Sequence, residues 1–86
     1  KIFVAPNPIS NSTPLTIHIK NGEFSDVTVS IVDLYGKEVL RQFFASRRTS
    51  CQISARELSK LLNGFYYVDV SFDGHRIRKK IVKSGG

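Results

Sequence analysis

The chain has 86 residues, 41% of them hydrophobic, and carries 13 Lys and Arg against 7 Asp and Glu for a formal net charge of +6. That length allows one domain, able to bury roughly 60 to 65% of its unfolded surface, and the apolar content excludes a disordered polycation. No run approaches the roughly 18 apolar residues of a membrane-spanning helix, and a lone cysteine excludes an internal disulfide or a cysteine-rich zinc module.

IFVAP opens the chain as a short first strand. In LTIHIK, Leu15, Ile17 and Ile19 alternate with Thr16, His18 and Lys20; in VTVSI, Val27, Val29 and Ile31 alternate with Thr28 and Ser30. A period of two marks half-buried strands, and EVLRQFF, SCQIS, FYYVDVSFD and HRIRKKIVK extend the series to about seven, the number and spacing of an antiparallel sandwich. Asn21-Gly22, Tyr35-Gly36-Lys37 and Asp73-Gly74 supply turns between them, the last of a type that closes two-residue hairpins. In the sixth strand Tyr66, Val68, Val70 and Phe72 are expected to face the core, with Asp69 and Ser71 on the opposite face.

One segment departs from the period of two. Ser54 and Glu57 have the spacing of a capping box, and Leu58, Leu61 and Leu62 then share a helical face before Asn63-Gly64 ends it. The spacing predicts a short helix whose leucines close one end of the sandwich. Cys51 alternates with Ile53 and is expected in the core, as free cysteines usually are.

The residues offer little for catalysis. Only His18 and His75 could supply an imidazole, neither lies in a recognisable motif, and no pair of carboxylates has the spacing of an acid and its base. Two histidines and a cysteine, widely separated, make a poor metal site, so the expectation is no enzyme, no cofactor and no metal. Asn11-Ser12-Thr13 is formally a glycosylation sequon and reads as a polar surface loop.

The basic run DGHRIRKKIVKSGG raises the question of a polyanion partner. On a strand Arg76, Arg78 and Lys80 share one face, and Ile77, Lys79 and Ile81 the other. Without aromatic side chains free for base stacking, nucleic acid is expected to bind weakly and without sequence preference. Charges blunting an exposed sheet edge explain the same run without any partner.

Four short motifs occur in order: PNPIS, VSIVDLYGKEV, NGFYYVDV and RKKIVK. Together they resemble the C-terminal sorting domain of the type IX (Por) secretion system of Bacteroidetes. The resemblance rests on Pro6-Asn7-Pro8, on Asp33, Gly36 and Lys37 of a hairpin, on Gly64 and Tyr66 at a strand start, and on Lys79, Lys80, Ile81, Val82 and Lys83 at the close. The chain departs from the family in having SKLLNG where a shorter proline-containing turn is usual, and in running past Lys83 into Ser84-Gly85-Gly86.

The resemblance implies an Ig-like antiparallel β-sandwich of about seven strands with one short helix, forming a single domain over residues 1–86. Because Lys1 follows neither a Met nor a leader-like run, that domain is expected to be excised from a longer protein. It further implies a non-catalytic signal that carries an attached cargo through the periplasm and across the outer membrane, where a sortase removes the domain in many members. The implied partners are the outer-membrane translocon and a surface sortase or attachment complex. The sorting information is expected in the closing hairpin, with Lys80 and Lys83 as lysines whose loss reduces export without loss of stability, and Ile81 as core. The alternative is an Ig-like adhesion or interdomain module that binds through loops at one end of the sandwich.

Overall fold

Alternation along the chain becomes two apolar sheet faces turned toward each other. The computed structural model describes residues 1–23, 25–45 and 47–85. Its elements are β1 (Ile2–Ala5), β2 (Leu15–Ile19), β3 (Val27–Asp33), β4 (Glu38–Phe44), β5 (Ser50–Ile53), α1 (Ala55–Leu58), β6 (Gly64–Phe72) and β7 (His75–Lys83). They form a three-stranded sheet, β1-β2-β5, and a four-stranded sheet, β4-β3-β6-β7, with every pairing antiparallel. This is the all-β sandwich that the alternation predicts.

Between the sheets, Ile2, Leu15, Ile17, Cys51 and Ile53 of one meet Val27, Val29, Ile31, Tyr66, Val68, Val70 and Ile81 of the other. Ile9, Leu58 and Leu61 join the same core from the connections. Val68 and Val70 have no exposed surface, and each such side chain contributes about 1.5 to 3 kcal/mol of burial. Phe72 completes the row, half-buried against the core. Cys51 is core as expected, and desolvation pushes its thiol up to about 11, which keeps it protonated and unreactive.

The turns decide which sheet each strand joins. In constant-type immunoglobulin sandwiches the fourth strand lies beside the fifth. Here the tight Asp33–Lys37 connection folds β4 back onto β3, so the fourth strand belongs to the other sheet. Asp73 and Gly74 both take positive φ, 46° and 77°, between the closing pair Phe72 and His75, which is the two-residue hairpin read from Asp-Gly.

The helix is shorter than its leucine spacing suggests. Ser54 caps it, its Oγ accepting from the Glu57 N–H, but the carboxylate of Glu57 turns to Lys60 instead of closing the box. After Leu58 the chain tightens: Lys60 N–H donates to Glu57 O and Leu61 N–H to Leu58 O, both three residues back. That turn keeps Leu61 buried and swings Leu62 out to 82% exposure, so only two of the three leucines close the core. Gly64 therefore opens β6, at φ 143°, and does not end the helix.

Candidate functional site: the closing strand and its clamps

The four sequence motifs meet at one end of the four-stranded sheet. The Asp33 carboxylate folds the β3–β4 turn by accepting the N–H groups of Tyr35 and Lys37, both at 2.9 Å. Gly36 sits in that turn at φ 88°, a conformation few other residues adopt. Across the sheet Asp33 is in register with Tyr66, and Tyr66 with Ile81 of β7. The Tyr66 hydroxyl donates to the Leu62 carbonyl at 2.6 Å and so fixes the loop between α1 and β6. Burial, with the Asp33 carboxylate adding to it, pushes the phenol up, so it remains a donor at neutral pH.

Pro6-Asn7-Pro8 reaches the same end from the other sheet. Both Ala5-Pro6 and Asn7-Pro8 are cis. Asn7 Oδ1 accepts the Val82 N–H at 3.0 Å, Ile9 N–H donates to Val82 O, and Ser84 N–H donates to Ile9 O. The beginning of the chain thus clamps the end of β7. Gly85 continues past this clamp with φ 109°, and Gly86 lies outside the described residues.

Lys83 corrects the sequence reading. It is only 2% exposed, and its Nζ donates to the Leu61 carbonyl at 3.0 Å. Even spacing from Ile81 puts Lys83 on the core side of β7, beneath the α1–β6 loop. It is a structural tie and no part of an exposed basic stripe. The five residues Lys79 to Lys83 consequently form no single patch: Lys80 and Val82 face outward, while Ile81 and Lys83 are buried and Lys79, on their side of the strand, is exposed.

Outside the sandwich the basic row has a polar underlayer that sequence reading missed. Arg78 holds Asp69 through two hydrogen bonds, Nε to Oδ1 at 2.7 Å and Nη2 to Oδ2 at 2.9 Å. Asp69 is 6% exposed, yet it lies on the outer face as alternation requires, covered there by its partner. Arg78 also lies over the Tyr67 ring at 4.8 Å, and Lys80 over Phe65 at 4.9 Å. The cross-strand pairs Asp69↔Arg78 and Tyr67↔Lys80 bring these groups together, a juxtaposition visible only once the β6–β7 register is known.

A cleft of about 290 Å³ opens between the β3–β4 turn and the α1–β6 loop, lined by Asp33, Lys37, Val39, Lys60, Leu62 and Tyr66 among others. His18 and His75 are exposed, and neither lines it. Among the described residues no group of three or more His, Cys, Asp or Glu could hold a metal ion, and no helix is long and apolar enough to cross a membrane.

These observations define a small antiparallel β-sandwich module whose marked residues hold its last strand in place. The chain belongs to the secretion system C-terminal sorting domain family, whose sequence model matches residues 3–84. Membership makes it a sorting signal of type IX secretion, a label for export toward the cell surface or beyond. A comparison with curated proteins finds no match.

Proposed function

We propose that this domain catalyses nothing and directs an attached cargo protein from the periplasm across the outer membrane through the type IX translocon, with the closing hairpin as the part that is read. A sortase or attachment complex at the surface then receives it. The observation that carries this reading is the division of labour along β7. Ile81 and Lys83 are spent on the fold, while Arg76, Lys79 and Lys80 stay exposed on a strand clamped at its end by Asn7 and Ile9. Tyr66 serves the signal indirectly, by seating the loop against which Lys83 closes, and Gly64 by pairing with Lys83 across the strands.

The test is a reporter fused ahead of the domain in a type IX-competent bacterium, with surface and periplasmic fractions assayed. Lys80→Ala, alone and with Arg76→Ala, is expected to change stability by less than about 1 kcal/mol, since an exposed cation over a ring is worth little more. Reporter is nevertheless expected to accumulate in the periplasm. Ile81→Val, which costs about 0.5 to 1.5 kcal/mol, should leave export near the parental level and so separates signal from stability. Parental export by the Lys80 and Arg76 variants would reduce the row to edge protection.

A second reading has its own observation. At the tip of the β3–β4 turn Leu34 is half-exposed and Tyr35 is 96% exposed, as a loop-borne adhesion surface would require. On the sorting reading Tyr35→Ser leaves export unchanged; an adhesion module would lose surface binding instead.

A further inference from the structure

The border of β7 combines an open hydrogen-bonding edge with a row of like charges on the same residues. β7 is the last strand of its sheet. Val82 turns its N–H and C=O away from β6, toward Asn7 and Ile9. In an antiparallel ladder that orientation recurs every second residue, so Lys80, Arg78 and Arg76 turn their backbone groups outward as well. Among the described residues no backbone group from outside the sheet bonds to the backbone of those three; the clamp at Asn7 and Ile9 covers only the far end of the strand. The side chains of the same three residues stand on the outer face at a repeat of about 6.8 Å, with Arg78 and Lys80 steadied over Tyr67 and Phe65.

We propose that the edge of β7 from Arg76 to Lys80 accepts an extended acidic segment of a partner protein as an added strand. Such a strand would place every second side chain opposite Arg76, Arg78 and Lys80, at about 4.5 to 5.5 Å between Cβ atoms; opposite Arg76 and Lys80 carboxylates are favoured and like charges penalised, while Arg78 is already paired with Asp69. The charge row selects as well as attracts. A second copy of β7 laid against the first would set Arg and Lys against Arg and Lys, so the edge rejects its own kind while remaining open to an acidic strand. A purely protective edge needs the charges but has no use for the backbone groups. This deepens the sorting reading and rests on it for the source of the partner.

The probe is a short synthetic peptide with Glu at every second position and Thr or Val between, titrated into the intact domain while amide hydrogen exchange is followed by NMR. Binding is expected to slow exchange at the Arg76, Arg78 and Lys80 amides. Methylating the peptide nitrogens that face β7, or replacing Lys80 by Glu, should weaken it about tenfold or more. Lys80→Pro removes an outward N–H at a position where an edge strand tolerates proline, and should do likewise. If that variant unfolds, the methylated peptide makes the same measurement from the other side. Equal binding by the methylated peptide, or by one with Lys in place of Glu, overturns the proposal, as does charge-dependent binding without amide protection. Export of the reporter by an edge that ignores the peptide would leave the sorting reading standing alone, whereas peptide binding by a domain that fails to export would overturn that reading instead.

Discussion

Lys83→Ala is expected to destabilise the domain by about 3 to 5 kcal/mol, more than any other single lysine substitution in the chain. Three methylenes of a fully enclosed stem are lost, at about 0.8 kcal/mol each. The Leu61 carbonyl also loses its donor, and an unpaired buried acceptor costs about 1 to 3 kcal/mol. A domain of this size has on the order of 4 to 13 kcal/mol in total, so the loss threatens folding at elevated temperature. Lys83→Met keeps the stem and should cost only the second part, about 1 to 3 kcal/mol. Urea denaturation at a common slope measures both, and a Met variant as unstable as the Ala variant would show that packing contributes nothing. Export defects at Lys83 then follow from folding, in contrast to those expected at Lys80.

The strands were legible because each sandwich strand turns alternate side chains toward the core, and that period of two survives in sequence without knowledge of any neighbour. The burial of Leu15 and Ile17 beside exposed His18, or of Val68 and Val70 in β6, needs nothing beyond that alternation. What stayed hidden depends on contacts between distant segments. Lys83 looks exposed by residue type, and only the loop that Leu61 belongs to makes it core. Leu62 fits a helical face, yet a four-residue helix lacks the length to hold its fourth-neighbour ladder, and the tighter turn sends it outward. A two-residue Asp73-Gly74 turn sets the register between β6 and β7, and counting back from it pairs Asp69 with Arg78. The cue was present, but a carboxylate between valines reads as solvated until its partner is identified.

Arg78→Ala is expected to destabilise the domain clearly near neutral pH, although the guanidinium itself is 55% exposed. Its partner is the reason. Removing one member of a buried pair costs about 3 to 5 kcal/mol because the remaining charge is left without compensation, and solvent access to Arg78 reduces that figure here. In the parental protein the Arg78 hydrogen bonds hold the Asp69 carboxyl below its usual range, against the opposing pull of burial. A carboxyl lowered in this way binds fewer protons folded than unfolded, so its contribution is fully present above the unfolded value of about 3.9 and is lost as pH falls through the folded one. Without Arg78, burial is opposed only by the Arg76 charge and raises Asp69, so the variant gains stability relative to the parent as acid protonates the orphaned group. The gap between the two proteins should therefore narrow from pH 7 toward pH 3. Asp69→Asn, which leaves Arg78 unpaired but in solvent, should cost less than Arg78→Ala at pH 7 and show little of the pH dependence. Melts of the three proteins across that range decide the matter: a gap that stays constant with pH would mean that Arg78 stabilises by covering Tyr67, and that its pairing with Asp69 contributes little.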